Sequence, residues 1–210
     1  MKITLFGATG TIGQRILREA LNRGHQVTAV VRDPSKLTEH HANLNVVKGD
    51  VLNATSISES STGTDIVVSA YGPGHADPNT LIDSVRALIE GTRQVGAKRL
   101  IVVGGAGGLE VAPGRQLVDS PDFPAAWKGV ALAHRDAYNV LKQSDIDWTS
   151  FSPAALIEPG ERTGIFRTGT NQLLVDESGV SHISTEDYAV ALLDEIEEPK
   201  HIRGRFTAAY

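Results

Sequence analysis

Gly7, Gly10 and Gly13 stand three residues apart in the run Gly7-Ala8-Thr9-Gly10-Thr11-Ile12-Gly13, directly after the β-type stretch Lys2 to Phe6. A chain that must turn sharply and bring its backbone against a pyrophosphate needs positions without a β-carbon. A helix opening at that point offers the anion unpaired N–H groups and the positive end of its dipole. By itself a GxxGxxG string is equally a plain tight turn, so its setting decides. A strand precedes it, and Ile12, Ile16, Leu17, Ala20 and Leu21 follow at the spacing of one buried helical face. Strand, glycine turn and helix open a βαβ unit, and this context points to a nicotinamide dinucleotide as ligand.

The end of the second strand carries further chemistry. Arg32 follows Val31 directly, with Asp33 next and Lys36 nearby. In a dinucleotide-binding fold this position reads the adenosine ribose: a carboxylate accepts from a free 2′-hydroxyl, whereas a cation pairs with a 2′-phosphate. Arg32 and Lys36 therefore favour NADP. Asp33 leaves NAD open, as does the plain alternative of Arg32 as a solvated loop charge. A metal centre finds no support: His40 and His41 are adjacent, so they diverge in a strand and lie about 100° apart on a helix, with no carboxylate cluster to complete a site.

These groups need a scaffold, and the periodicity supplies one. Gly24 stops the first helix, and Val27 to Val31 is the near-continuous apolar run of a strand covered on both faces. The pattern repeats through Asn45 to Val47, a weaker helical stretch around Ile57, and the strand Asp65 to Ser69. A helix Thr80 to Val95 and a strand Arg99 to Val103 follow. A glycine- and proline-containing stretch then runs to Pro124, longer than connections usual within a domain, and reads as a functional loop. Ala131 to Lys142 reads as a helix and Asp147 to Phe151 as a strand. Ser152 to Ser181 reads as an irregular substrate-side cap. Ser184 with Asp187 reads as a capping pair before the helix Tyr188 to Ile196, and Arg205 to Ala208 as a last strand. The expectation is an α/β fold: a Rossmann-type doubly wound parallel sheet, one domain over residues 1–210, with a small C-terminal substrate-side region.

Composition narrows the partners. With 40% hydrophobic and 21% charged residues the chain is ordinary for a globular protein. Its net charge of −5, with both signs interspersed, gives no positive field for a nucleic acid backbone. No apolar run approaches the roughly 20 residues of a membrane span, and no signal-peptide pattern precedes the first strand. The absence of cysteine excludes disulfides, thiolate ligands and a cysteine nucleophile. A cytoplasmic protein acting on a small molecule, as a monomer or weak homo-oligomer, is expected.

In chain order, the glycine turn, Val31-Arg32-Asp33-Pro34, Gly49-Asp50-Val51, Ser69-Ala70-Tyr71-Gly72, Asp147-Trp148-Thr149 with Ser152-Pro153, and Ile183-Ser184-Thr185-Glu186-Asp187-Tyr188-Ala189 form a set. It resembles the atypical short-chain dehydrogenase/reductases, in the branch similar to biliverdin reductase B, flavin reductases and NmrA-like proteins. The resemblance spans almost the whole chain. It implies that Asp50 and Val51 border the adenine and that Ala70, Tyr71 and Gly72 line the cofactor. It also implies a nicotinamide near Gly104, Gly105 and Pro153. Asp50 has an equal reading as a turn residue after Gly49.

Tyr138 and Lys142 have the Tyr-x-x-x-Lys spacing with which many short-chain dehydrogenases protonate a carbonyl oxygen. They stand at the wrong end of their helix, close to the Asp147 strand. Sliding the helix onto the family pattern puts Val130 and His134 at the two positions, and Gly104-Gly105-Ala106 occupies the place of the usual serine. His134 is then the remaining proton-handling group, set against the plain alternative of an exposed helix histidine. Tyr138, one turn later on the same face, would assist or simply pack. Phe123, Trp127, Trp148 and Phe166 offer flat apolar surface. The expected activity is NAD(P)H-dependent reduction of a planar conjugated acceptor such as FMN, a quinone or a tetrapyrrole, which needs orientation more than a dedicated acid. A NmrA-like NADP-binding redox sensor without turnover and a relative of nucleotide-sugar epimerases or dehydratases are the alternatives.

Overall fold

Ile66 to Ser69 and Arg99 to Val103 are buried along their whole lengths, as strands covered on both faces must be. Their side chains divide by parity. Val68, Ile101 and Leu5 face one core layer, whereas Val67, Leu100 and Phe6 face the other. The computed structural model of the 210-residue chain describes residues 1–74 and 76–210.

The first half comprises β1 (Lys2–Phe6), α1 (Thr11–Asn22), β2 (Gln26–Val31), β3 (Leu44–Lys48), α2 (Ala54–Ser60), β4 (Ile66–Ser69), α3 (Thr80–Val95) and β5 (Arg99–Val103). The second comprises β6 (Glu110–Ala112), β7 (Arg115–Gln116), α4 (Ala125–Lys142), β8 (Trp148–Ser152), β9 (Leu156–Glu158), β10 (Arg167–Gly169), β11 (His182–Ser184), α5 (Thr185–Glu197) and β12 (Gly204–Ala209). Eight strands form the main sheet in the order β10-β12-β8-β5-β4-β1-β2-β3. Helices α1 and α5 pack together on one face, and α2, α3 and α4 follow one another on the opposite face. This is the Rossmann-type doubly wound architecture. The chain order reverses at β1, which pairs with β2 on one side and β4 on the other, and such a reversal opens a crevice at the carboxyl ends of the strands.

Three sequence expectations need correction. The sheet is not wholly parallel, because β10 runs antiparallel to β12 at the edge. It lies in the stretch read as irregular, Ser152 to Ser181, which also holds β9, and three-residue strands are too short to show a period. Helix α4 starts at Ala125 rather than Ala131, since residues 125–129 are exposed and carry no apolar stripe. The Ser184 and Asp187 pair is half a capping box. Ser184 Oγ accepts from Asp187 N–H at 2.9 Å, but the Asp187 carboxylate does not return to Ser184. It accepts instead from the N–H groups of Thr163 and Gly164, both at 2.8 Å, and from the hydroxyls of Thr163 and Tyr210. A buried carboxylate thus ties the 160–165 segment and the C-terminal Tyr210 to the start of α5.

The core beside β8 and β12 is an aromatic stack. Tyr188, Phe151 and Phe206 lie face to face with centroid separations of 3.9 and 4.0 Å, and His201 extends the stack at 4.8 Å. Tyr188 donates its hydroxyl proton to Phe151 O at 2.6 Å, and burial holds that phenol well above its ordinary pKa. Beneath the stack, at the opposite edge from the crevice, buried Arg99 meets buried Glu195 at 2.9 Å.

Candidate functional site

The turn between β1 and α1 is built from close approaches that exclude side chains. Gly7 adopts φ +81°, and a β-carbon there would sit 2.5 Å from Ala70 O. A β-carbon on Gly13 would sit 2.0 Å from Gly7 O, so the first turn of α1 presses directly on the strand end. Gly10 is the N-cap of α1, without a side chain to cap the helix, and its own N–H donates to Gly7 O at 3.0 Å. The free N–H groups of the first helical turn, which includes Thr11, Ile12 and Gly13, therefore face outward beside exposed Thr9. Such a cradle, which β-carbons would fill, fits a pyrophosphate.

A groove of about 160 Å³ runs from this turn across the sheet edge. Gly7, Thr9, Gly10, Arg32, Asp50, Val51, Ala70, Tyr71 and Gly72 line it, so nine of the expected cofactor residues meet at one surface. Asp50 Oδ1 accepts from Leu52 N–H at 3.0 Å, as a turn residue does, and the residue borders the groove. Gly49 beside it is required, because a β-carbon would lie 2.5 Å from Val30 Cγ1. Lys36 stands exposed in the short turn Pro34–Lys36, outside the groove lining.

At the end of β2, Asp33 and Arg32 differ in their partners. Asp33 accepts from Ser35 Oγ at 2.7 Å and from Ser35 N–H at 3.1 Å. The Ser35 hydroxyl, then its N–H, hold the Asp33 carboxyl below its usual pKa. Both bonds fall on Oδ1, which caps the Pro34–Lys36 turn, whereas exposed Arg32 makes no ion pair among the described residues.

Beyond Tyr71, the ends of β5 and β8 carry Gly104, Gly105 and Pro153. Gly104 N–H donates to Phe151 O at 2.8 Å, and Pro153 is buried. A β-carbon on Gly105 would stand 2.9 Å from His134 Cγ, so the imidazole occupies the room where a side chain would project after β5. Desolvation pulls the His134 pKa down to about 4, and the ring is neutral at physiological pH. Tyr138, one turn on, packs edge-on against Trp148 with centroids 5.9 Å apart. The Arg205 guanidinium lies 4.7 Å from its ring centroid. Tyr71, His134 and Tyr138 border one small internal cavity. Of the expected aromatic surfaces, Trp148 is core at 3% exposure, while Trp127 is 65% exposed on the first turn of α4.

Arg205 escaped sequence reasoning, because a single arginine in a strand looks like any other. It is buried, donates to Gly108 O at 2.8 Å and holds Asn171 Oδ1 at 3.0 Å. The loop carrying Gly104 and Gly105, the substrate-side region and α4 are joined through this one side chain. No group of three metal-ligating side chains occurs among the described residues.

Fold and groove together define a nicotinamide-dinucleotide-binding protein of the Rossmann class. The family model described as NAD(P)H-binding matches residues 7–199, and the chain belongs to that family. The curated protein YwnB of Bacillus subtilis is 41% identical over 211 residues, covering 99% of this chain and 97% of its own. A solved structure from Burkholderia pseudomallei, described as a candidate exported protein, is 55% identical with a TM-score of 0.92, and each chain is covered completely. A structure from Streptococcus pneumoniae, described as a candidate NADH-flavin reductase, is 34% identical with a TM-score of 0.87, covering 100% of this chain and 99% of that one. The expected NAD(P)-binding Rossmann protein is thereby matched by fold and by family. No helix among the described residues is long and apolar enough to cross a membrane.

Proposed function

We propose that the protein is an NADPH-dependent reductase of a flat conjugated acceptor, of flavin, quinone or tetrapyrrole type, working in the cytoplasm as a monomer or weak homo-oligomer. One observation carries this reading. After β5, where a dehydrogenase would place its serine, stand two glycines with a neutral imidazole packed against them. Such a site can orient a ring and offer one N–H, but it holds no phenol and lysine pair at the start of α4 to protonate an alkoxide. A planar acceptor suits it, because bound NADPH supplies the hydride and solvent can supply the proton.

His134 is the group we place against the acceptor, as a hydrogen-bond donor rather than a cation. Tyr138 borders the same cavity, and wedged between Trp148 and Arg205 it supports the His134 turn of α4. Gly7, Thr9, Gly10, Thr11, Ile12 and Gly13 would hold the pyrophosphate. Asp50 and Val51 would border the adenine, and Ala70, Tyr71, Gly72, Gly104, Gly105 and Pro153 the nicotinamide half. Arg32, with Lys36 beyond it, would take the 2′-phosphate. The preference for NADP rests on the contrast between Arg32, without an ion pair among the described residues, and Asp33, held through Oδ1 by Ser35. The similarity to the candidate NADH-flavin reductase supports the acceptor class. The cytoplasmic setting belongs to the same proposal and is supported by the lack of cysteine, which suits a reducing compartment.

The test is oxidation of NADPH, followed at the nicotinamide absorbance, with FMN, a quinone and biliverdin in turn. Turnover with any of them, slowed in His134→Ala, supports the proposal. Tight NADPH binding with no oxidation by all three overturns it in favour of a cofactor sensor.

A further inference from the structure

On the α3 and α4 side of the sheet, below Gly104, lies an internal cavity of about 10 Å³. That is about the volume one water needs. Leu81, Val85, Val102 and Leu141 give it apolar walls. Six polar side chains interrupt them: Ser69 of β4, Tyr71 after it, Ser84 of α3, His134 and Tyr138 of α4 and Ser150 of β8. The Tyr71 hydroxyl is already bonded to Thr80 Oγ1 at 3.1 Å. Each of the three serines is 2% exposed, and buried polar groups are rarely left without partners.

Their unused hydrogen-bonding capacity is complementary. Ser84 Oγ donates to Leu81 O at 2.8 Å, which uses its proton and leaves its lone pairs. Ser69 Oγ accepts from Tyr71 N–H at 3.3 Å, which leaves its proton. Ser150 Oγ has no protein partner among the described residues, and it lies 3.1 Å from where a Gly104 β-carbon would stand. His134, neutral by desolvation, has one acceptor nitrogen and one N–H, and neither finds a protein partner among the described residues. From this capacity, the hydroxyl protons of Ser69 and Ser150 and the acceptors of Ser84 and His134 suit one molecule able to give two protons and accept two.

We propose that this cavity is a buried water site built by Ser69, Ser84, Ser150 and His134. Its water donates to one imidazole nitrogen and thereby fixes His134 as a single neutral tautomer. The hydroxyls of Ser69 and Ser150 donate to the water, and its second proton goes to Ser84 Oγ. The other ring nitrogen of His134 then carries the proton. On the reductase reading, that N–H is what the site presents to an acceptor above Gly105. The water site itself stands apart from any turnover.

The experiment combines a high-resolution crystal structure with nitrogen-15 NMR of the histidine ring, on the full chain without cofactor or acceptor. Expected are density for one water within hydrogen-bond distance of the three hydroxyls, and ring nitrogen shifts of one neutral tautomer. Ser84→Ala with Ser150→Ala should remove the density and give averaged shifts, and Ser84→Val, which fills the cavity, should do the same. A dry cavity in the wild type, or an unchanged tautomer in the folded variants, overturns the proposal. Because neither readout uses NADPH oxidation, an inactive protein can pass this test and an active reductase can fail it.

Discussion

Gly105 and His134 are interlocked: a β-carbon on Gly105 would lie 2.9 Å from both Cβ and Cγ of the histidine. The glycine is therefore required by a residue 29 positions away, and the two should be coupled energetically. Gly105→Ala forces the imidazole or the loop aside, with an expected loss of about 1–3 kcal/mol, the usual range for an overpacked core. In a His134→Ala background the same change has room, so the double variant should be less destabilised than the sum of the singles. Urea denaturation of the four proteins measures this. Strict additivity would show that the contact does not constrain position 105.

The desolvated histidine also predicts a pH dependence. His134 has a folded pKa of about 4 against an ordinary 6.5. Between those values the unfolded chain binds a proton that the folded one refuses, so stability falls as pH drops through that window. The loss by about pH 4 should be on the order of 2–3 kcal/mol, from 1.36 kcal/mol for each pH unit. Glu19, held below its usual pKa chiefly by the side-chain hydrogen bond from Arg162, acts in a different window. It stabilises above 4.5 and is lost only at lower pH. Urea midpoints at pH 7 and pH 5 for wild type and His134→Gln separate the two. A variant that loses as much as the wild type over that interval would contradict the assignment.

The phosphate turn allows a sharper contrast between two glycines. A β-carbon at Gly13 would meet Gly7 O at 2.0 Å, whereas one at Gly10 would meet it at 3.4 Å. Gly13→Ala should cost stability, by about 1–3 kcal/mol, and abolish NADPH binding, because the strand end and helix can no longer touch. Gly10→Ala should keep its midpoint and lose only affinity, since it crowds the groove and not the fold. Equal stability losses in both would mean that the close approach at Gly13 relaxes freely.

Much of this could be read in advance where one physical signal dominated. Thr80–Val95 emerges with the expected limits because its apolar stripe is continuous and Gly96 ends it in the left-handed region at φ +68°. The start of α4 was invisible, since its first residues bury nothing. Asp187 looked like a capping partner because spacing shows only neighbours along the chain, and its real partners lie more than 20 residues away. The groove residues were legible because their motif is local, strand by strand. The ring of Ser69, Ser84, Ser150 and His134 was not, because those four meet only after the sheet and two helices have packed.

Asp187 yields a stability prediction of its own. Its Oδ1 accepts two backbone N–H groups and its Oδ2 faces two hydroxyls that can rotate. Asp187→Asn can keep the first pair and donate to the second, so a loss of about 1 kcal/mol is expected. Asp187→Ala removes four hydrogen bonds to a carboxylate, two of them from the part-buried N–H groups of Thr163 and Gly164, and should cost about 2–4 kcal/mol. It should also speed amide exchange at Thr163 and Gly164, whose backbone it holds. Equal costs for the two variants would mean that charge, not geometry, ties the 160–165 segment down.

Arg32 carries the cofactor prediction. It is exposed at the groove and unpaired among the described residues, so a 2′-phosphate would be its first close anion. A hydrogen bond to a charged group contributes about 1.5–3 kcal/mol, or roughly 10- to 150-fold in affinity. Arg32→Ala should weaken NADPH by that factor and leave NADH unchanged, measured by nicotinamide fluorescence. Ser35 Oγ holds Asp33 Oδ1 at 2.7 Å and so restrains how its carboxylate is turned. Adding Ser35→Ala to Arg32→Ala frees that oxygen to accept from a ribose 2′-hydroxyl, so the double variant should bind NADH more tightly than the single. If Arg32→Ala weakened both cofactors equally, the arginine would be acting on a phosphate that they share, and the preference for NADP would lose its physical basis.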